Sequence, residues 1–242
     1  MQLIHGNCLE ELKNIPSSSC KLALTSPPYN MNLRVRKGKH CSRQIVKEIS
    51  TKYENYPDNL SMDEYFEMNC KVVSELIRIS DIVFYNVQFL TGNKSALFRL
   101  LGHFHENVKE FIIWDKINAE PAIGQGVLNS RFEVLIVFAS KEEAITRQFK
   151  CANFNRGELQ NLWQIKRGKK IDGSHGAVFP IELANTIISN FSNKDDYVID
   201  PFLGTGTSGC ACKQHGRNFI GIEQDLNYYN LATDRINNYI AE

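Results

Sequence analysis

The segment VIDPFLGTGT, residues 198–207, decides the fold of this chain. Its apolar start predicts a buried strand that ends at Asp200, and the small residues from Thr207 onward predict a helix that ends at Gly216. Glycines at such a junction let the backbone turn sharply and approach a ligand, while the helix N-terminus offers free N–H groups to a carboxylate or phosphate. Taken alone, the pattern also fits an ordinary tight turn between a strand and a helix.

The strand that follows this helix, NFIGIE, ends at Glu223, about 20 residues beyond the glycines. An acidic side chain at that distance, at the end of the second strand of a βαβ unit, can accept hydrogen bonds from ribose hydroxyls. The two signals together indicate a nucleoside site. Because the turn is GxG rather than GxGxxG and no Walker lysine is present, the ligand need not be NAD or ATP. An adenosine that carries an amino-acid tail fits equally.

On both sides of this unit, short apolar runs alternate with amphipathic stretches. The alternation predicts an α/β fold with a mostly parallel sheet and helices on both faces, because parallel strands need crossover connections that are usually helices. Two β-rich segments, VKEFIIWDKI and RFEVLIVFAS, predict a hairpin. The length of 242 residues suits a single domain over residues 1–242.

The composition excludes several classes of protein. With 28 basic and 27 acidic side chains the net charge is +1, which excludes a strongly basic, histone-like protein. Seven cysteines without a CxxC pair suggest neither a disulfide framework nor a zinc site. The N-terminus lacks the features of a signal peptide, and no apolar run approaches the roughly 18 residues that span a bilayer. We therefore expect a cytoplasmic protein without membrane association.

A second candidate site is TSPPYN, residues 25–30, which follows the apolar strand KLAL. Its two consecutive prolines fix the backbone and remove two N–H donors, so the chain leaves the strand as a stiff loop whose carbonyl groups can accept hydrogen bonds. A hydroxyl and an aromatic ring, from Ser26 and Tyr29, flank the prolines. On composition alone, the loop also fits a rigid turn in which Tyr29 fills a pocket.

The order SPPY followed far downstream by DPFLGTGT resembles the DNA amino-methyltransferases, which use S-adenosyl-L-methionine to methylate the exocyclic nitrogen of cytosine or adenine. Because the SPPY motif precedes the cofactor motif, the chain is similar to the permuted β class of that family. The resemblance covers most of the chain. It implies a Rossmann-like methyltransferase sheet with helices on both faces and a C-terminal β-hairpin in the sheet.

The resemblance also implies which residues bind the S-adenosyl-L-methionine cofactor. The DPFLGTGT segment would hold its methionine end, Glu223 its ribose hydroxyls and the turn around Asn7 its adenine. Two positions depart from the family pattern, since most relatives have Asp in place of Asn7, and Gly176 replaces a proline after His175. The implied cofactor-binding residues are Asn7, Cys8, His175, Phe179, Asp200, Pro201, Phe202, Gly204, Gly206, Thr207 and Glu223.

For catalysis, the resemblance implies Ser26, Pro27, Pro28 and Tyr29. An exocyclic amine is a poor nucleophile because its lone pair is delocalised into the ring. The Ser26 hydroxyl and the Pro27 carbonyl would accept its two N–H hydrogens and direct the lone pair towards the methyl carbon. The base must leave the duplex, and Tyr29 would stack on it. The transfer needs neither a covalent intermediate nor a metal, because a sulfonium methyl group is already activated.

Double-stranded DNA is the partner that the resemblance implies, and residues 31–60 and 141–176 are candidate DNA-recognition insertions. Both carry clustered positive charge that would neutralise phosphates, although such loops are often only solvated surface. Because each segment is short, we expect a two-fold homodimer, and a cognate restriction endonuclease is a further expected partner. The candidate DNA-binding residues are Arg34, Arg36, Lys37, Lys39, Arg43, Lys166 and Arg167.

The motif leaves two choices of modified base. In the resembled family, Ser at the first motif position is more common in N4-cytosine enzymes and Asp in N6-adenine enzymes, so cytosine N4 is preferred and adenine N6 is the alternative. A hypothesis of another class is a catalytically silent DNA-binding subunit. The two intact motifs argue against it, because binding alone does not require both. A third hypothesis is methylation of a protein glutamine or an RNA base, but proteins with those activities more often carry NPPY than SPPY.

Overall fold

The computed structural model describes residues 1–30, 34–36, 39–41, 60–120, 125–168 and 179–241. The strands, in chain order, are β1 (Gln2–His5), β2 (Cys20–Thr25), β3 (Arg34–Arg36), β4 (Lys39–Cys41), β5 (Ser80–Val87), β6 (Val108–Glu120), β7 (Ser130–Ala139), β8 (Leu162–Gln164), β9 (Tyr197–Asp200) and β10 (Asn218–Glu223). The helices are α1 (Cys8–Glu11), α2 (Met62–Ile79), α3 (Lys94–His103), α4 (Lys141–Ala144), α5 (Ile181–Phe191), α6 (Thr207–His215) and α7 (Leu226–Asn238). None of the helices in these ranges has the length and apolarity needed to cross a bilayer.

Within the described ranges, one mixed sheet has the strand order β1-β10-β9-β2-β5-β7-β6-β8, and β3 pairs with β4 as a separate hairpin. Neighbouring strands from β1 to β5 are parallel, which confirms the predicted α/β fold. The segments predicted to form a hairpin, β6 and β7, are antiparallel. This hairpin lies in the middle of the chain rather than at its C-terminal end, because the last strand, β10, is a parallel strand between β1 and β9.

Alternating strand side chains divide the core into two layers, one on each face of the sheet. Leu22 and Val198 share a layer with the apolar side of α5, represented by Ile187, and with α6 and α7. Ala23 belongs to the opposite layer, with α2 and α3, where Leu76 is fully buried. Because consecutive strand residues point to opposite faces, the predicted placement of helices on both faces is confirmed.

The ends of two helices coincide with their sequence signals. The Ser61 hydroxyl accepts a hydrogen bond from the Glu64 N–H, and the Glu64 side chain accepts one from the Ser61 N–H, which fixes the start of α2. Helix α6 begins after Gly206 and ends before Gly216, and these glycines have positive φ angles of 79° and 69°. The left-handed turn at Gly206 leads the chain from β9 into α6 at the carboxyl edge of the sheet.

The described part of the segment 141–176 packs against the domain. Phe149 and Phe154 contact Phe191 of α5 edge-on, with ring centroids 5.2 and 5.4 Å away. Trp163 is buried in β8, which pairs parallel with β6 and extends the sheet at that edge. The aromatic residues of this segment therefore cover one core layer. Most of the polar residues that dominate its described part lie on its outer surface.

Candidate active site

A cavity of about 240 Å³ opens at the carboxyl ends of the parallel strands β1, β2, β9 and β10. Crevices at this edge of an open α/β sheet are the usual ligand sites of such folds. The walls come from the turn after β1, the SPPY loop after β2, the glycine turn after β9 and the turn after β10. The turns after the first and last strands of the described chain thus meet the SPPY loop at one cavity.

Glu223 fixes the glycine turn of the cavity wall. Its carboxylate accepts hydrogen bonds from the backbone N–H groups of Gly204 at 2.8 Å and Asp225 at 2.9 Å. Burial raises the pKa of Glu223, and the two N–H donors oppose the rise. Gly204 has a φ of 52°, a left-handed conformation that favours glycine. The wall therefore presents a carboxylate and a stretch of bare backbone to the cavity.

Asp200 lies behind this wall. Its buried carboxylate accepts hydrogen bonds from the Thr25 hydroxyl at 2.7 Å, the Ser208 hydroxyl at 2.5 Å and the Phe202 N–H at 3.0 Å. Burial raises the pKa of Asp200, and all three donors oppose the rise. The side chain ties β2, the glycine turn and α6 to one another, so it shapes the cavity without facing it.

The turn after β1 contributes Asn7 and Cys8 to the cavity wall. The Asn7 side-chain oxygen accepts a hydrogen bond from the Leu9 N–H at 2.9 Å and caps α1, so this oxygen is used within the protein. The Asn7 amide NH₂ can still serve as a donor. Burial raises the pKa of Cys8 to about 12, which keeps its thiol neutral.

The SPPY loop is fixed by the elements around it. Ser26 and Pro28 line the cavity, and Pro27 between them is buried. The Pro28 carbonyl accepts a hydrogen bond from the Tyr65 hydroxyl of α2 at 2.8 Å. Asn30, at the end of the loop, has a φ of 49°, a conformation that Asn tolerates better than most side chains. These restraints hold Ser26 in a fixed position relative to the cavity.

Tyr29 is anchored by polar side chains that no motif indicates. Its hydroxyl lies 3.1 Å from Ser26 Oγ, donates to Glu133 Oε2 at 2.7 Å and accepts from Asn86 Nδ2 at 2.7 Å. Lys116 Nζ lies 2.7 Å from the other Glu133 oxygen. Burial raises the pKa of Tyr29 well above its usual value, and the Glu133 charge adds to the rise, so the phenol stays protonated. The sequence signal was the interruption of the apolar runs of β6 and β7 by Lys116 and Glu133.

The cavity combines predicted residues with others that were missed. The predicted residues that line it are Asn7, Cys8, Ser26, Pro28, Pro201, Phe202, Gly204 and Glu223. Gly6 also lines it and belongs to the turn predicted to face the adenine, while the residues that line it without a prediction are Leu9, Leu60, Met68, Gln224 and Asp225. Asp225 carried a usable signal, because an acidic residue before an amphipathic run is a typical helix cap and it caps α7. Leu60, just before α2, and Met68, within α2, carried none, since isolated apolar residues are common at half-buried positions.

Other predicted cofactor residues have different surroundings. Gly206 packs against α7, where an added Cβ would come within 3.1 Å of side chains. The Thr207 hydroxyl accepts a hydrogen bond from Arg235 at 2.9 Å. Phe179 packs against one of the two core layers. His175 lies outside the described residues.

The candidate DNA-binding residues fall into two groups. Lys166 and Arg167 are exposed and follow β8, the last strand at one edge of the sheet. The backbone alone is described for three residues of the β3–β4 hairpin, which are Arg34, Arg36 and Lys39. Lys37 and Arg43 lie outside the described residues.

A family model described as DNA methylase, of the N6/N4 type, matches residues 20–234. The chain belongs to this DNA methylase family. The match includes the SPPY loop, the side chains that anchor Tyr29 and the turn held by Glu223, so the family is shown over nearly the whole domain. The predicted membership among DNA amino-methyltransferases is confirmed.

Curated relatives of this DNA methylase align along almost all of its length. The chain is 26% identical over 254 residues to the Type II methyltransferase M.HinfI of Haemophilus influenzae. This alignment covers 97% of this chain and 67% of the relative. The chain is 31% identical over 248 residues to the Type II methyltransferase M2.LlaDCHI of Lactococcus lactis subsp. cremoris, covering 97% of this chain and 88% of the relative. The similarity therefore extends well beyond the two motifs.

Solved structures share the fold of the DNA methylase. An M1.HpyAVI complex with S-adenosylmethionine has a TM-score of 0.67 at 21% identity and covers 98% of each chain. The cytosine-N4-specific PvuII DNA methyltransferase has a TM-score of 0.68 at 18% identity and covers 99% of this chain and 93% of its own. At these identities the similarity establishes the methyltransferase fold.

Proposed function

We propose that this DNA methylase transfers a methyl group from S-adenosyl-L-methionine to N4 of a cytosine extruded from double-stranded DNA. The observation that carries the proposal is that Ser26 and Glu223, from opposite ends of the sequence, line one cavity. Transfer from a nucleoside cofactor to an amine requires a nucleoside-binding carboxylate and an acceptor for the amine within one site. Membership in the DNA methylase family supports this reaction class.

The cofactor would bind along the wall formed by Phe202, Gly204 and Glu223. The residues fit such a ligand, because a partly buried carboxylate, bare backbone in a left-handed turn and an aromatic ring stand side by side. Glu223 would accept hydrogen bonds from the ribose hydroxyls, and Asn7 would donate to the adenine through its amide NH₂. When bound, S-adenosyl-L-methionine supplies a methyl group on a positively charged sulfur.

The SPPY loop would orient the target amine. Ser26 Oγ and the Pro27 carbonyl accept the two N–H hydrogens, which turns the nitrogen lone pair towards the methyl carbon. Pro28 keeps the loop stiff, and Tyr29 offers its ring to the extruded base, which offsets part of the cost of unstacking. Lys166 and Arg167, with the basic residues of 31–60, would contact DNA phosphates.

Cytosine N4 is the preferred target and adenine N6 the alternative, because Ser26 begins the motif while the matched family contains both types. The permuted β class is supported by the position of β1, which is first in the chain but lies beyond β10 and β9 in the sheet. Relatives that are Type II methyltransferases support a modification role beside a cognate restriction endonuclease, in the cytoplasm. A catalytically silent DNA-binding subunit would have no use for a shared cavity.

The test is transfer of tritium from labelled S-adenosyl-L-methionine to amplified, unmethylated genomic DNA, followed by nucleoside analysis. We expect N4-methylcytosine. Ser26→Ala should lower kcat on the order of 10²-fold with cofactor affinity unchanged, because it removes an acceptor used in the transition state. Ser19→Ala, which removes an exposed hydroxyl bonded to the Pro16 carbonyl at the start of β2, is the control and should be neutral. Label in N6-methyladenine would support the alternative, and label in RNA or protein only would refute DNA methylation.

A further inference from the structure

A buried ion pair lies next to the SPPY loop. Lys116 of β6 and Glu133 of β7 are 5% and 9% exposed, and their Nζ and Oε1 atoms are 2.7 Å apart. Taking two charged groups out of water costs free energy that can exceed the attraction between them. A buried ion pair is therefore weak evidence for added stability. The position of this pair therefore needs an explanation in terms of what it contacts.

Glu133 contacts the SPPY loop at the Tyr29 hydroxyl. Its Oε2 atom accepts hydrogen bonds from the Tyr29 hydroxyl and from Asn86 Nδ2, both at 2.7 Å, while Oε1 faces Lys116. The carboxylate is thus held by β5 and β6 and in turn holds the far end of the Tyr29 ring. Asn86 Nδ2 also donates to the Tyr29 hydroxyl, at 2.7 Å, which fixes the phenol from a second side.

We propose that Glu133 is a positioning residue that fixes the Tyr29 ring for stacking on the extruded base, and that Lys116 is the counter-ion that keeps the Glu133 carboxylate in place. The proposal rests on the proposed function, in which Tyr29 stacks on the target base. A ring that is already ordered loses less freedom when the base arrives than a ring that rotates. Both hydrogen bonds are made by the hydroxyl, so they restrain the far end of the ring without covering its flat faces.

The structure also offers a matched control. Lys109 and Glu143 form a second pair with buried side chains, with Nζ and Oε1 3.0 Å apart, at the opposite end of the same two strands. Among the described residues, Glu143 contacts the start of β6 and the residues after α4 rather than the SPPY loop. Glu143→Gln therefore disturbs an ion pair of the same kind without touching Tyr29.

The experiment compares Tyr29→Phe, Glu133→Gln and the double variant in kinetics on amplified, unmethylated genomic DNA. Each single variant should lower kcat roughly tenfold, the size expected for one anchoring hydrogen bond to a charged group. The double variant should be no slower than the slower single variant, because both remove the same contact. Cofactor affinity should stay within error of wild type. Glu133→Gln and Glu143→Gln should both lower the melting temperature, because each leaves a buried lysine without its counter-ion, but Glu143→Gln should leave kcat unchanged.

A second readout needs no DNA. With tyrosine labelled by ¹³C at Cζ, Tyr29→Phe identifies the Tyr29 resonance, and Glu133→Gln should shift that resonance and leave the other tyrosine signals in place. If Glu133→Gln fails to fold, Glu133→Asp keeps the charge near Lys116, withdraws the carboxylate from Tyr29 and should give the same shift and the same fall in kcat.

Three results would overturn the proposal. The first is a double variant whose kcat falls by the product of the two single factors. The second is a Tyr29 resonance that does not move in Glu133→Gln. The third is a loss of cofactor affinity in these variants that parallels their loss of kcat. Failure of the proposed function is a different result. A wild-type protein that transfers no methyl group to DNA would refute that function, and the resonance shift would still decide whether Glu133 fixes Tyr29.

Discussion

The Thr25 hydroxyl donates a hydrogen bond of 2.7 Å to the Asp200 carboxylate, and the two residues are 175 positions apart in the sequence. Thr25 is the last residue of β2 and immediately precedes Ser26, while Asp200 ends β9 and precedes the glycine turn. The bond therefore links the start of the SPPY loop to the start of the glycine turn. β2 and β9 are neighbouring strands at the centre of the sheet, and their pairing fixes the distance between the two motifs.

Thr25→Val should destabilise the protein by about 1–3 kcal/mol, because it removes a donor from a buried carboxylate and keeps the shape of the side chain. Burial already raises the pKa of Asp200, and loss of this donor raises it further. A carboxyl group with a raised folded-state pKa loses stabilising effect as pH rises through that pKa. The deficit relative to wild type should therefore grow with pH and be smallest in acid. Urea unfolding at several pH values checks this, with Thr186→Val, which removes a hydroxyl bonded within α5, as the control.

Gly204→Ala should weaken S-adenosyl-L-methionine binding tenfold or more while the protein stays folded. Among the described residues, an added Cβ would meet only the Phe202 carbonyl oxygen, at 3.8 Å, so the cost to the fold is the backbone strain of φ 52°, about 1 kcal/mol. Calorimetry measures the affinity. Gly157→Ala is the matched control, because Gly157 has a φ of 87° and its added Cβ meets no described atom within 4 Å. Equal affinity in both variants would contradict the assignment of this turn to the cofactor.

Gly206 is unsuitable for the same test. A Cβ there would come within 3.1 Å of Ala232 and Ile236, so a larger residue would disturb the packing of α7 before it affected a ligand. The GxG pattern does not reveal this difference. One glycine supports the cavity wall and the other supports the helix behind it.

Binding of S-adenosyl-L-methionine should weaken as pH falls through the raised pKa of Glu223. Burial is the main cause of that raised pKa, and the charges of Asp225 and Asp200 act in the same direction. Below it the carboxyl group is protonated and cannot accept from both ribose hydroxyls, so the loss begins at a higher pH than for an exposed Glu. Calorimetric titrations across acid pH measure the effect. Glu223→Gln should bind more weakly at neutral pH but with a flat profile, and a parallel profile would assign the titration to another group.

Lys166→Ala and Arg167→Ala should each weaken DNA binding and reduce its dependence on salt. Each phosphate contact that is lost lowers the slope of log affinity against log salt by about 0.9, because fewer counterions are released. Fluorescence anisotropy with a labelled duplex at several salt concentrations measures the slope. Lys194→Ala, an exposed lysine between α5 and β9, should leave the slope unchanged. An unchanged slope in all three variants would place the DNA elsewhere.

In solution we expect a homodimer with two-fold symmetry. A specific DNA interface usually buries roughly 1,000–2,500 Å² of protein, which is large for the short recognition segments of one subunit. Light scattering at micromolar concentration without DNA should give a mass near twice 27.7 kDa. A mass near 27.7 kDa would instead favour a monomer that uses residues 31–60 as a clamp.

The sequence predicts the elements of this fold whose signals are local. Gly216 ends α6 and Ser61 starts α2 because each satisfies the helix terminus beside it. Strand β8 has a weaker signal, since Trp163 and Ile165 are separated by a single polar residue in a polar segment. Its alternation becomes visible only when β6 is known to lie next to it.

The site is predictable only in part, for the same reason. Glu223 and Ser26 are predictable because each belongs to a motif, and the residues of a motif that lie close together in space are also close together in the sequence. Glu133 and Tyr29 are 104 residues apart and meet because β7 lies beside β5, two strands away from β2. No local pattern encodes such a contact, although a charge at the start of the apolar run VLIVFA was a hint.

The pairing of β1 with β10 has a consequence for biosynthesis. The Gly6 N–H donates to the Glu223 carbonyl at 3.0 Å, so the two sides of the cavity wall are synthesised far apart in time, the β1 side first and the β10 side later. A nascent chain holds β1 without its neighbour until β10 emerges from the exit tunnel. The cavity cannot form before then, so a nascent chain that still lacks β10 could not bind the cofactor.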